Sequence, residues 1–413
     1  MSSIYDSIFL VRIDNPDAPG LMKTHPNGVD LGKDAFEFCS SCWPFSDDVI
    51  PSNKASLIFS FSVGSSYYHV YLFIFAGVPY EIIIGTRRPF SYLLTSFLKD
   101  VKKQFSSSGE FQDPTCRFTY VFSLMSSWPR GAVENAILTF PESSLAITFD
   151  YTHFSYAQYD PLRYFSPDQC FAIWHSIFTG HPLLIISNSA DVGSKSCFAA
   201  YSLISPLLFA DDDVIWLRKS DPRYQKILAG STEYKVVCAS YENIAENCSQ
   251  FKVIRASDGR KSNVNSESSI REVFSKLTTR ILRIIISELD NLLTIDAYSD
   301  FLGINFSHEG FKEILRTINS PELPSFEDFQ MFEKTNTFKK WRHAQALRES
   351  LRNAILSYIP HNSFKDKSVH ELSLIIEGIE AMKVKHWNDA HMLAVLQKHE
   401  KHVVRQIVKK QSH

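Results

Sequence analysis

Ser166-Pro-Asp-Gln-Cys-Phe-Ala-Ile-Trp-His-Ser-Ile-Phe-Thr-Gly180, followed by His181-Pro-Leu-Leu-Ile-Ile186, reads as a helix, a stop and a strand. Ser166 stands ahead of Pro167, with Gln169 three residues on, the pattern of a helix start. Phe171, Trp174 and Phe178 fall on one helical face, with Cys170, Ile173 and Ile177 beside them. Gly180 is placed to end that helix. Pro182 to Ile186 is short and wholly apolar, as strands are when buried in a parallel sheet.

Downstream, the alternation continues. A polar stretch from Ser187 to Gly193 leads to a helix carrying Cys197, Ala200, Tyr201 and Ile204. Val214 to Leu217, Lys235 to Cys238 and Phe251 to Ile254 read as strands, with helices at Asp221 to Leu228 and Tyr241 to Asn247. Strand and helix in turn predict a mostly parallel sheet covered by helices.

Upstream, strands surround one strong helix. An apolar run from Ile4 to Ile13 ends at Asn15-Pro-Asp-Ala-Pro-Gly20. Leu57, Phe59, Phe61 and Val63 alternate with Ile58, Ser60 and Ser62, the signature of a half-buried strand. Tyr67 to Ala76 and Tyr80 to Ile84 follow, parted by the turn Gly77-Val-Pro79. After Arg88-Pro89, the spacing of Phe90, Leu93, Leu94, Phe97, Leu98 and Val101 predicts a one-faced helix. Residues 106–116 read as a loop, and Ala136 to Phe140 is expected to pair with Leu145 to Phe149.

Residues 256–268 form a polar linker, and everything beyond reads helical. Ile270, Val273, Phe274, Leu277, Ile281, Ile284 and Ile285 trace one stripe. A helix from Ala344 to Leu356 is expected to stop at Ile359-Pro360, another to start near Leu372, and a last one to run from His391 to Lys410. The expected fold class is α/β with an all-α tail: modules at 1–155, 156–258 and 269–413.

Composition narrows the function. Of 413 residues, 44% are hydrophobic and 13% aromatic, enough for large cores and too much for disorder. A formal net charge of -2 gives no global attraction to nucleic acid or to an anionic membrane. No apolar stretch reaches the roughly 18 residues of a membrane span, and the start at Met1 shows no secretory pattern. The seven cysteines (39, 42, 116, 170, 197, 238 and 248) are expected to be reduced, mostly buried thiols of a cytoplasmic protein.

Motifs for bond-making chemistry fall short. Asp191-Val-Gly-Ser-Lys-Ser196 lies where a phosphate loop would lie, but Ser194 separates Gly193 from Lys195, and position 188 is Asn. The segment reads instead as a helix start capped by Ser189 or Ser194. Cys39-Ser-Ser-Cys42 has the spacing of half a zinc site, with only a lone His25 nearby. Asp211-Asp-Asp213 could bind a cation but reads as a solvated acidic turn. His386, His391, His399 and His402 lack zinc-site spacing and are expected on a wet face. The basic stretch from Lys398 to Lys410 could touch acidic lipid or a partner. There is no Gly-x-Ser-x-Gly elbow and no Gly-rich dinucleotide loop.

The middle of the chain resembles the DENN-domain core. The resemblance rests on Gln169-Cys-Phe-Ala-Ile-Trp174, on Gly180 to Ile186, on the polar stretch Ser187 to Ser194, and on Ser205-Pro-Leu207 followed by Asp211-Asp-Asp213 and Asp221. The first 150 or so residues resemble the longin-like upstream module, marked by the opening strand, Trp43-Pro44 and the helix from Pro89 to Phe105. Thr335-Asn-Thr-Phe-Lys-Lys-Trp-Arg342 is similar to a C-terminal motif of the short class-six DENN proteins and their Avl relatives. Two departures stand out: Val214-Ile-Trp-Leu217 replaces an aromatic-rich strand, and the basic start of the longin helix is reduced to Arg87-Arg88.

The resemblance implies guanine-nucleotide exchange on a Rab-family small GTPase, seated across the junction of the first two modules, with no cofactor, nucleic acid or small-molecule substrate. The alternative is a DENN-like scaffold that binds GTPases or complex partners without exchange. The implied contacts are Ser189, Asp191, Ser194 and Lys195, the turn Asp211, Asp212 and Asp213, and Trp216 as an anchor unless it packs in the core. The implied location is the cytoplasm, with recruitment to endosomal or Golgi membranes.

Overall fold

The computed structural model describes residues 4–285 outside 16–17, 30, 32–33, 46–55, 88–89, 108–110, 112, 129–134, 149–158, 241 and 258–269. Further on it describes 324–346, 356, 364, 367–385 and 387–411. The chain is a mixed α/β protein whose later residues are helical, and it divides into two compact units, Met1–Thr278 and Thr279–His413.

The first unit opens with a five-stranded sheet. Its strands are β1 (Ser7–Arg12), β2 (Gly20–His25), β3 (Leu57–Val63), β4 (Ser66–Phe75) and β5 (Val78–Thr86), in the order β2-β1-β5-β4-β3. Every pairing is antiparallel. Helix α1 (Ala35–Ser41) precedes β3. Helix α2 (Ser91–Ser107) buries Leu93, Leu94, Phe97, Leu98 and Val101 in one core with Leu10, Phe73, Ile82 and Ile84. The spacing of the α2 apolar residues foretold that face. A hairpin follows, β6 (Asn135–Thr139) against β7 (Ser144–Thr148), antiparallel as expected.

Three local features differ from the sequence reading. Helix α3 (Pro114–Ser126) starts inside the expected loop. Asp113 caps it, accepting from the Cys116 N–H at 2.9 Å, and Pro114 takes the first turn, where its missing N–H costs nothing. Strand β2 carries little apolar signal because it is an exposed sheet edge. Strand β3 is buried on both faces, Ser60 and Ser62 included, because more than one layer covers it.

The second half of the unit is a four-stranded sheet. Its elements are α4 (Pro167–Thr179), β8 (Leu183–Ile186), α5 (Ala190–Ser202), β9 (Asp213–Leu217), α6 (Pro222–Leu228), β10 (Val236–Ala239), α7 (Glu242–Asn247) and β11 (Lys252–Arg255). The order is β11-β8-β10-β9 and every pairing is parallel. Helix α4 begins with a reciprocal cap. The Gln169 N–H donates to Ser166 Oγ at 3.3 Å, and the Ser166 N–H donates to Gln169 Oε1 at 2.8 Å. Gly180 ends it with φ +71°, a left-handed conformation open to glycine at little cost. The buried face of α4 centres on Cys170, Ile173, Trp174, Ile177 and Phe178, while Phe171 is 53% exposed. Helix α8 spans 270–285. The Trp174 indole donates to Thr278 Oγ1 at 3.0 Å, and Phe274 packs against the Trp174 ring. Val273, expected in the stripe of α8, is exposed.

In the second unit, α9 (Phe326–Lys334) meets α10 (Asn336–Ala346) at Thr335, whose hydroxyl accepts from the Phe338 N–H at 3.0 Å. Helices α11 (Val369–Lys385) and α12 (Ala390–Gln411) pack through Leu372, Ile375, Ile379, Met382, Met392, Leu396 and Val403. His399 lies buried in that seam, not on a wet face as its sequence context suggested, because it shares a helical side with Met392, Leu396 and Val403. The bulk of the expected linker, the Ile359-Pro360 stop and His386 lie outside the described residues.

Candidate functional site

The two sheets of the first unit meet edge to edge. Strand β3 ends one sheet and β9 ends the other. They are joined by a side chain instead of a backbone ladder. Ser62 Oγ donates to the Asp213 carbonyl at 3.2 Å and accepts from the Ile215 N–H at 3.2 Å. One hydroxyl thus satisfies an acceptor and a donor two residues apart, as a neighbouring strand would, and neither edge is left open there.

A buried arginine completes the joint. Arg223, on α6, is 1% exposed. Its Nε and Nη2 donate to the two carboxylate oxygens of Asp221 at 3.0 and 2.7 Å. Nη1 donates to the Ser62 carbonyl at 2.8 Å, and Nη2 also donates to Ser41 Oγ at 2.8 Å. Arg218 reaches back similarly, donating from Nη1 to the Ser40 carbonyl at 3.0 Å. Asp221 caps α6, a helix that the sequence suggested from Asp221 to Leu228. Nothing local announced that Arg223 would be buried.

The residues expected to touch a partner fall into three places. Ser189, Asp191, Ser194 and Lys195 belong to the start of α5, which takes the earlier of the two caps that the sequence offered. Ser189 is its cap, accepting from the Val192 N–H at 3.3 Å. Asp191 and Lys195 form an ion pair one turn apart on the partly exposed side. Ser194 is buried, and its hydroxyl donates to the Asp191 carbonyl at 3.3 Å. Gly193 is there for packing: a methyl group at this position would lie 2.7 Å from the Cys238 sulfur and 3.2 Å from the Trp216 ring.

Trp216 is 2% exposed in the middle of β9, so it belongs to the core. Asp211 and Asp213 are buried as well, and only Asp212 of the acidic turn is exposed. Asp213 accepts from the Tyr201 hydroxyl at 2.6 Å. Burial pushes its carboxyl up to about 6. Partial burial first, then the charges of Glu233 and Asp211, raises Asp212. Because β8 and β9 are parallel, Asp213 lies level with Leu183, at the opposite end of the sheet from the start of α5. About four residues of strand, on the order of 13 Å, separate the two groups.

Lys99 of α2 and Arg163 join the α5 group, and no motif in the sequence marked them. Desolvation, then the like charge of Lys195, lowers the Lys99 ammonium; Arg163 adds to this and Asp191 opposes it. Tyr159 ties the two helices together, with its hydroxyl 3.4 Å from Thr95 Oγ1 and its ring 5.4 Å from Phe198. The result is a charged rim drawn from α2 of the antiparallel half and α5 of the parallel half.

Two further polar groups lie inside this unit. His69 is fully buried, with Nδ1 2.8 Å from Ser60 Oγ, and desolvation holds it down to about 3, hence neutral. Glu81 is fully buried, and neither carboxylate oxygen has a hydrogen-bond partner among the described residues. Burial raises its pKa well above the usual range, and the nearby Cys42 thiol opposes this only in part. Below the unfolded glutamate pKa of about 4.3 both states hold the proton. Above it the unfolded chain releases the proton while the folded chain keeps it, so stability falls as pH rises. Glu81→Met should therefore stabilise the protein by about 1–3 kcal/mol. The gain should be larger near pH 8 than near pH 5, read by urea unfolding. An equal gain at both would mean that Glu81 ionises in place.

Among the described residues, no group of three or more His, Cys, Asp or Glu side chains is placed to hold a metal ion. Cys42 is buried, and burial raises its thiol well above the usual range, with the Glu81 carboxyl adding to the shift. No family model and no curated protein matches the chain.

Proposed function

We propose that this chain is a DENN-type guanine-nucleotide exchange factor for a Rab-family small GTPase, acting by holding the nucleotide-free GTPase more tightly than the loaded one. The observation that carries this reading is the charged rim of Lys99, Arg163, Asp191 and Lys195, built jointly by helices of an antiparallel and a parallel sheet that meet edge to edge. Exchange makes and breaks no covalent bond, so it needs complementary shape and charge and no nucleophile. Speeding release about 10⁴-fold takes roughly 5.5 kcal/mol of differential binding. An interface of about 1,200–2,000 Å² is large enough to supply that. The rim would serve as the polar border of such an interface, with Asp212 too far along the sheet to share a contact with it.

Release of a fluorescent GDP analogue from a panel of Rab proteins tests the reading. Acceleration by the wild-type chain is expected for at least one member. The double reversal Lys99→Glu and Lys195→Glu should lower exchange efficiency on the order of tenfold, about 1.4 kcal/mol, with melting unchanged. Asp212→Lys should change it less. No acceleration of any Rab would overturn the proposal. Tight binding without faster release would select the scaffold reading instead.

A further inference from the structure

Helix α12 has two opposed faces. Met392, Leu396, His399 and Val403 are buried toward α11. At 100° per residue, Lys398, Lys401, Arg405 and Lys409 lie on the other side, and all four are exposed. Val404 and Val408 border this stripe and are 43% and 56% exposed. The helix has one acid, Glu400, and it is turned toward α11, where Lys383 Nζ lies 2.8 Å from its Oε2. None of the four cations forms an ion pair with a described residue. The outer face of α11 carries no comparable basic stripe: Glu377 is exposed there, and Glu380 is paired with Lys383 at 2.8 Å. The formal charge of the whole chain is only -2, so the stripe is a local polarisation.

We propose that the outer face of α12 docks on the anionic headgroup surface of a membrane, with the helix parallel to the surface and Val404 and Val408 entering the headgroup–acyl boundary. The four cations complement anionic headgroups, each adding severalfold to binding. The valines favour a bilayer over other polyanions. Nucleic acid would be met by the cations alone, whereas an interfacial helix pairs cations with an apolar border. This inference is independent of the exchange reading.

The test is flotation of the full chain with two vesicle types: phosphatidylcholine alone, and phosphatidylcholine with about a third of the lipid replaced by phosphatidylserine. Binding is expected only to the second, and to be lost in roughly 0.5 M salt. Lys401→Glu with Arg405→Glu should weaken binding at least about tenfold without changing helix content or melting. Val404→Ser with Val408→Ser should weaken it severalfold while preserving the charge. No binding to serine-containing vesicles, equal binding to both vesicle types, or unchanged binding by the charge-reversed variant would each overturn the proposal. So would binding of a duplex RNA by a chain that leaves both vesicles untouched.

Discussion

Arg223→Ala should destabilise the first unit by about 3–5 kcal/mol, the range for breaking one side of a buried ion pair. The loss has two sources. Asp221 would remain buried with its charge no longer matched, and the Ser62 carbonyl and Ser41 hydroxyl would lose their common donor. Ser62 also carries the contact to β9, so the change strikes the joint between the sheets. Urea unfolding followed by tryptophan fluorescence measures it. The double change Arg223→Met and Asp221→Ala should recover part of the loss by removing the orphaned carboxylate, although it sacrifices the α6 cap. A loss below about 1 kcal/mol from Arg223→Ala would mean that the pair behaves as a surface bridge.

Trp216→Ala should cost about 3–5 kcal/mol, as other large core truncations do. Trp216 lies against Gly193 in a close contact between β9 and α5, and removing the ring leaves a cavity there. Trp216→Phe should be much milder, because the indole N–H it removes has no hydrogen-bond partner among the described residues. The readout that separates core from anchor is GTPase binding measured where the variant is still folded. A core residue changes stability and leaves the affinity of the folded fraction unchanged. An anchor residue would do the reverse, with full stability and lost binding.

Much of the local architecture was legible in the residues themselves. The start and stop of α4 were legible at Ser166, Gln169 and Gly180, and the face of α2 in the spacing from Phe90 to Val101. The α/β alternation after residue 165 was legible in four short apolar runs. These signals act within one or two turns of helix, or along one strand. Two of the failures trace to neighbours distant in sequence and one to a local signal. Strand β2 shows no alternation because an exposed sheet edge has no face to bury, β3 is buried on both faces because more than one layer covers it, and locally Asp113 and Pro114 start a helix where they looked like loop punctuation. For the candidate site, Ser189 was legible as one of two possible helix caps, but the ion pair of Asp191 with Lys195 was not. The burial of Trp216 was one of its two readings, whereas the inward turn of Asp213 and the arrival of Lys99 and Arg163 beside Lys195 were not legible.

Taken alone, the order of amino acids determined the α/β alternation after residue 165, the two ends of α4 and the apolar face of α2, because backbone hydrogen bonding and side-chain periodicity are settled between residues at most a few positions apart. Only the tertiary structure decided that Arg223 is buried against Ser62, 161 residues away, and that the acidic turn and the α5 rim lie at opposite ends of one parallel sheet. Burial of a charge is a property of everything that surrounds it, and its surroundings here are assembled from strands and helices that meet only when the chain is folded.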